Sequence, residues 1–263
     1  MIVKYTSQHK LQAQKLLAGR EMYLPGFLCY AGDERRPERI AAYVQENAAG
    51  RVSALIFCFS GTGELLCTED ADLAEIALFY AMMPLDTLNG EYHTIAAIAE
   101  IQGQPVKPFD ILVWDEQAPP ALPAQTVLAS SLSDAARVHI LLEKCRSDTF
   151  RVAPYSSYYL EMFWRYQDGS GITYHIEQDL LPVCTASVRY LSARYGLLCN
   201  VATSPDYRGR GLARACVSHA ARYVLEKGKI PLIQARIDSA RRLYRSLGFR
   251  RTYPGGQLSK EEA

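Results

Sequence analysis

Val201-Ala202-Thr203-Ser204-Pro205-Asp206-Tyr207-Arg208-Gly209-Arg210-Gly211-Leu212-Ala213-Arg214 holds the densest chemical signal in the chain. An apolar strand pattern ends here, a Ser-Pro-Asp step turns the chain, and a Gly-rich loop opens into a long amphipathic helix pattern reaching about Glu226. At such a junction several backbone N–H groups lack intrahelical partners and point outward together, backed by the positive end of the helix dipole. That arrangement binds phosphate. Gly209 and Gly211 let a ligand approach the main chain with no Cβ in the way, and Arg208, Arg210 and Arg214 add positive charge.

Two common phosphate loops are excluded. No Lys follows Gly211, as Gly-x-x-x-x-Gly-Lys-Ser/Thr requires. A dinucleotide loop needs a third Gly and an acidic residue on the next strand, where this chain has Arg214 and Arg236. Arg208-Gly209-Arg210-Gly211-Leu212-Ala213 instead fits Arg/Gln-x-x-Gly-x-Gly/Ala, and in this it resembles the pyrophosphate loop of the GNAT N-acetyltransferase superfamily. Thr203-x-Pro205-x-Tyr207-Arg208 before it, and Ala240-x-x-x-Tyr244-x-x-x-Gly248-Phe249 after it, match the family's flanking elements in the family's order. The resemblance is strongest over residues 170–254 and extends to 126–263.

The resemblance implies a mixed central sheet flanked by helices, an α/β (α+β) fold. It implies coenzyme A in the gap between two splayed strands, with acetyl-CoA as co-substrate and no metal. The main chain of Val201, Ala202 and Thr203 would hold the pantetheine arm, one N–H polarising the thioester carbonyl. Gly209, Arg210, Gly211, Leu212, Ala213 and Arg214, with Arg208, would hold the pyrophosphate. An amine then attacks the acyl carbon in a ternary complex, and Tyr244 matches the family's usual donor of a proton to the leaving thiolate. The acceptor would be a small-molecule or peptide amine.

The chain departs from the pattern in two places. Where the family usually has Asn, seven residues before the tyrosine, Ile237 stands; Asp238 or Ser239 could cap the helix in its place. The strand before the loop lacks the Glu that many members use as base, which leaves His175 and Glu177, alternating with Thr173 on one strand face, or a water chain. These departures keep a second reading open, a non-catalytic acyl-CoA-binding module for regulation or scaffolding.

Outward from the loop, the sequence alternates strand and helix. Strands are expected at 126–129, 172–177, 182–191, 196–203, 231–236 and 249–253, with helices to 145 from a Ser133-Asp134 cap, over 157–166, 211–226 and 238–247. Tyr155, Tyr159, Phe163 and Tyr166 fall on one face of the 157–166 helix, a stripe for packing or for an acceptor wall. Three prolines in Pro119-Pro120-Ala121-Leu122-Pro123 mark a seam, giving an N-terminal α/β domain over 1–125 and the acetyltransferase domain over 126–263. The N-terminal half offers helices at 8–20 and 37–47, a Pro25-Gly26 loop, and apolar runs at 52–59 and 73–83. Two-domain bacterial proteins of this family carry a diverged N-terminal domain that is in some cases itself GNAT-like, and residues 1–125 fit that place. No internal sequence repeat is visible.

The composition, 49% hydrophobic and 22% charged, excludes a disordered or low-complexity chain. Seven cysteines without a Cys-x-x-Cys pair read as reduced thiols in a cytoplasmic protein. The longest apolar stretch, Ile76 to Leu85, is too short to span a membrane. The net charge of +1 conceals a polarity: residues 1–130 hold 9 basic and 16 acidic side chains, the remainder 20 and 12. A phosphate-bearing cofactor beside the basic half accounts for this better than nucleic acid, for which no binding motif is present. A homodimer is compatible with the sequence.

Overall fold

A computed structural model describes residues 1–31, 40–116 and 119–260. In chain order its elements are β1 (Ile2–Lys4), α1 (Lys10–Leu17), α2 (Pro25–Tyr30), β2 (Ile40–Glu46), β3 (Val52–Phe59), β4 (Thr62–Cys67), α3 (Leu73–Met82), β5 (Thr87–Glu91), α4 (Tyr92–Gln102) and β6 (Lys107–Trp114). There follow β7 (Leu128–Ala129), α5 (Ala135–Lys144), α6 (Tyr155–Asp168), β8 (Ile172–Gln178), β9 (Leu181–Leu191), β10 (Tyr195–Thr203), α7 (Leu212–Glu226), β11 (Ile230–Ala235), α8 (Asp238–Leu247) and β12 (Phe249–Ser259).

Two compact units result, Met1–Ile111 with Tyr253–Ala263, and Leu112–Thr252. The units part within β6 and β12, where the sequence seam suggested residue 125. Buried side chains run through β6 on either side of position 111, whereas the proline segment is a connector inside the second unit, where Arg222 Nη2 donates to the Pro120 carbonyl at 2.9 Å. Gln117 and Ala118 of that segment lie outside the described residues.

In the first unit the strand order is β1-β2-β3-β4-β5-β12. All pairs are antiparallel except β4–β5, which α3 connects in parallel. Every residue of β3, Val-Ser-Ala-Leu-Ile-Phe-Cys-Phe, is buried, as a strand covered on both faces requires. Ile56, Leu65, Ile76, Tyr80, Leu88, Ile95, Ile98 and Leu258 share its core. In the second unit the order is β6-β11-β10-β9-β8-β7, again antiparallel from β7 to β10 and parallel at β10–β11. Helices α7 and α8 pack one face of this sheet through Cys216, Ala220, Val224 and Tyr244 against Val188, Leu198 and Ile233. Helices α5 and α6 form a separate cluster with Val138, Leu142, Tyr158, Met162 and Ala202.

In chain order each half of the sequence follows one plan: a short strand, two helices, three antiparallel strands, a helix, a parallel strand, a helix and a closing strand. The N-terminal half thus repeats the element order of the C-terminal half.

Several local expectations are corrected. The stretch read as a helix over 37–47 is strand β2 from Ile40 onward, paired on both edges by β1 and β3, since tertiary pairing overrides a weak helical pattern; residues 37–39 lie outside the described residues. Pro25-Gly26 begins helix α2 with Pro at a first-turn position, and Gly26 is required there because a Cβ would come within 2.4 Å of the Phe57 ring. The helix ending at Lys144 is preceded by a Ser131–Asp134 capping box around a 3-10 turn at Leu132–Asp134, so Ser131, and not Ser133, makes the cap. No helix among the described residues is long and apolar enough to cross a membrane.

Leu258 is fully buried in the core of the N-terminal unit although it lies five residues from the chain's end. Leu258→Ala is expected to destabilise that unit by about 2–5 kcal/mol, read as faster amide hydrogen exchange over 54–67 and 87–99. Unchanged exchange there would show that β12 contributes nothing to its stability.

Candidate active site

The site begins where two parallel strands stop pairing. β10 and β11 are in register from Tyr195↔Ile230 to Leu198↔Ile233, and no further. The register of β10 with β9 continues to Thr203↔Cys184. Between Cys199↔Ser187 and Ala202↔Thr185 the β10 strand carries one extra residue, a β-bulge, with Asn200 in the left-handed region at φ 51°. A bulge bends its strand and strengthens the local twist, and Asn tolerates that backbone better than most side chains. The main chain of β10 from Cys199 to Thr203 is thereby left without a β11 partner. Val201 and Thr203 are half-buried, and Ala202 is buried against the α5–α6 cluster.

From Thr203 the chain passes through a 3-10 turn at Pro205–Tyr207 to Arg208 and the two glycines. Gly209 (φ 75°) and Gly211 (φ 76°) both adopt left-handed backbone, so the loop needs glycine for conformation as well as for access. Gly211 is the N-cap of α7, and no side chain caps that helix. Ala215 N donates to Gly211 O at 3.2 Å as the first helical bond, which leaves the N–H groups of Leu212, Ala213 and Arg214 directed out of the helix start. Three arginines surround this opening, all exposed. Arg208 Nε donates to Thr203 O at 3.3 Å, Arg210 stacks over the Tyr207 ring at 4.9 Å, and Arg214 Nη2 donates to Ser246 Oγ at 2.7 Å. Gln125, which the sequence did not single out, reaches the same opening: its Nε2 lies 3.8 Å from where a Gly211 Cβ would stand.

The corresponding junction of the N-terminal unit is built differently. Between β4 and α3 it reads Thr68-Glu69-Asp70-Ala71-Asp72, and the Asp72 carboxylate accepts from Ala74 N and Glu75 N, both at 3.0 Å. The positive helix start is already neutralised by the chain's own anion.

Tyr244, on α8, is buried against Phe249 with ring centroids 6.2 Å apart. Its hydroxyl is close enough to the Cys184 and Cys199 thiols to feel them electrostatically, and burial pushes its pKa well above the phenol's ordinary value. The phenol is therefore a firmly protonated O–H donor. Burial also makes it a weaker acid than a free thiol. Ile237, the residue before α8, is 47% exposed, and neither Asp238 nor Ser239 caps that helix; Asp238 instead pairs with Arg241 at 2.7 Å.

His175 and Glu177 do not face the cleft as an open pair. His175 is buried, its Nδ1 2.7 Å from Ser130 Oγ and its Nε2 3.1 Å from Glu177 Oε1, and Glu177 pairs with Arg137 at 2.7 Å. Asp134, His175 and Glu177 lie close enough to chelate a metal ion, but Arg137 already bridges both carboxylates. The helix face buried by α6 is Tyr158, Met162 and Arg165. Of the expected aromatic stripe only Tyr159 and Tyr166 pack against the core, while Tyr155 is exposed. Arg250 and Arg251 of the basic C-terminal segment pair with Glu116 and Asp115 of the same unit.

A family model described as GNAT acetyltransferase matches residues 122–254. The chain belongs to the GNAT acetyltransferase family. Solved structures agree on the fold at low identity. A tandem GNAT protein from the clavulanic acid biosynthesis pathway is 15% identical with a TM-score of 0.58, covering 100% of this chain and 99% of its own. A GCN5-related N-acetyltransferase from Sphaerobacter thermophilus is 13% identical with a TM-score of 0.61, covering 98% and 95%. A GNAT-family protein from Novosphingobium aromaticivorans DSM 12444 is 21% identical with a TM-score of 0.54, covering 77% and 85%. No curated protein matches the chain. As in the tandem protein, both GNAT-like halves lie in one chain.

The Asp134 carboxyl is subject to burial, which alone would raise its pKa, but hydrogen bonds from Ser131 and Arg137 outweigh this and hold it at about 2 against an ordinary 3.8. A depressed folded pKa contributes stability above the unfolded value that is lost as pH falls, here between about pH 4 and pH 2. Asp134→Asn should flatten the acid limb of a stability–pH curve in that window, and a variant that retains the full limb would contradict the assignment.

Proposed function

We propose that the chain is a cytoplasmic acetyl-CoA-dependent N-acyltransferase that moves an acetyl group to a primary amine on a small molecule or peptide. The observation that carries this reading is the combination of a strand pair that opens after Leu198↔Ile233 with an uncapped, arginine-ringed helix start at Gly211. Backbone N–H groups at 209–214 and the arginines would hold the pyrophosphate, and the main chain of Val201, Ala202 and Thr203 would hold the pantetheine arm. The bound co-substrate supplies an activated acyl carbon. A neutral amine attacks that carbon, the C–N bond forms, the C–S bond breaks, and the thiolate leaves with a hydrogen bond from the Tyr244 hydroxyl. Because burial makes that phenol a weak acid, its part is to stabilise the thiolate as a donor while the proton shed by the amine neutralises the product. His175 and Glu177, enclosed with Ser130 and Arg137, are supporting residues in this scheme and not the base.

The exposed Ile237 favours one second reading, an acyl-CoA-binding module without turnover. The two separate on thiol release from acetyl-CoA across an amine panel, where an enzyme gives release above background and Tyr244→Phe lowers kcat by about 10²-fold. No release with any amine, and no effect of the substitution, would leave the binding module.

Binding itself is expected at one acetyl-CoA per chain, because Asp72 closes the N-terminal unit's junction to anions. Calorimetric titration should give a stoichiometry near one, and Gly211→Glu should abolish both the heat and the rise in melting temperature. Two sites per chain, or binding that survives the substitution, would overturn the loop assignment.

A further inference from the structure

The proline-rich connector of the second unit ends over the open helix start. Arg222 Nη2 on α7 donates to Pro120 O at 2.9 Å, and Val127 packs against the core of the same unit. Between these anchors the segment runs back along α7 toward its first turn, and Pro120 and Pro123 restrict the backbone on the way. The residue it delivers there is Gln125, with Nε2 3.8 Å from where a Gly211 Cβ would stand.

The fold makes no use of that amide. Gln125 is half-buried, its Oε1 is buried without a hydrogen-bond partner, and its Nε2 has no acceptor among the described residues. A glutamine that served the helix would turn its oxygen toward the free N–H groups, as Asp72 does at the start of α3. Helix α7 has no side-chain cap, and Gln125 presents nitrogen. Donors therefore border one opening from two sides: the N–H groups of Leu212, Ala213 and Arg214 from the helix, and an amide NH₂ from the connector. Donors left without acceptors are costly, and an anion matches them. Gly209, Arg210 and Gly211 are exposed, so the opening is reached directly from solvent.

We propose that Gln125 binds the co-substrate's pyrophosphate from outside the phosphate loop. Its Nε2 donates to a phosphate oxygen held at the start of α7, a neutral and directional donor beside the backbone N–H groups and the arginines. The inference rests on the acyltransferase reading, and it gives the connector a part in selecting a pyrophosphate-bearing co-substrate.

The test titrates the full chain with acetyl-CoA and with dephospho-coenzyme A, which keeps the pyrophosphate and lacks the ribose 3′-phosphate. Melting temperature is read without ligand. Gln125→Leu should weaken both ligands about tenfold, as expected for the loss of one hydrogen bond to a charged group. Gln125→Glu should weaken both about 100-fold, because its carboxylate occupies the helix start and repels the phosphates. Without ligand neither variant should melt below the unmodified chain, since leucine removes a buried acceptor that bonds nothing and glutamate supplies the cap that α7 lacks. A residue that only props the connector would behave in the opposite way, with lower melting temperatures and unchanged affinity. Lower melting temperatures in both variants, unchanged affinity in both, or a loss confined to acetyl-CoA, which would move the contact to the 3′-phosphate, would each overturn the inference. Failure of either ligand to bind the unmodified chain would instead defeat the phosphate-loop reading, and this inference with it.

Discussion

The geometry of the second unit depends on one backbone event, the extra residue at Asn200 in β10. Without it β10 would keep the register with β9 that runs from Leu197↔Arg189 to Cys199↔Ser187. With it the strand bends after Leu198, the parallel pair to β11 ends, and five residues of main chain become a wall in place of a ladder. The hydrogen-bonding capacity released there is what a bound pantetheine could use. The same strand ends at the turn that delivers Gly209 and Gly211, so the unpaired strand edge and the uncapped helix start are positioned by one continuous segment.

The two units show how little has to change to gain or lose such a cradle. Both contain three antiparallel strands followed by a parallel one, with a helix crossing between. In the second unit the crossing helix starts at a glycine with no side-chain cap. In the first it starts at Asp72, whose carboxylate takes two of the N–H groups that a phosphate would need, beside Glu69 and Asp70. The fold tolerates both solutions: one helix start is satisfied by the chain's own carboxylate and the other carries no side-chain cap.

Much of the second unit was legible in the sequence because its signals are local. A strand running into Ser-Pro-Asp, two glycines that must take left-handed backbone, and a helix ending at Gly248 before Phe249 each carry their meaning within a few residues. The N-terminal unit was less legible, since β2 is a strand only through its partners on both sides and Gly26 is explained by Phe57, thirty-one positions away. The completion of that unit by Gly255–Ser259 could not be read at all from order along the chain. Gln125 escaped notice at the start of α7 because only tertiary structure brings it there. Burial of Tyr244 altered its acidity in a way no spacing rule contains. A buried arginine at Arg165 was disguised in sequence by the aromatic run around it.

The central claim is that the open strand edge and the open helix start form one binding surface, present once in the chain. Amide hydrogen exchange with and without acetyl-CoA tests it most directly. The account predicts protection concentrated at 199–203 and 209–214, with no change at 68–75 of the N-terminal unit. Exchange unaltered at 209–214, or protection appearing at 68–75, would contradict it.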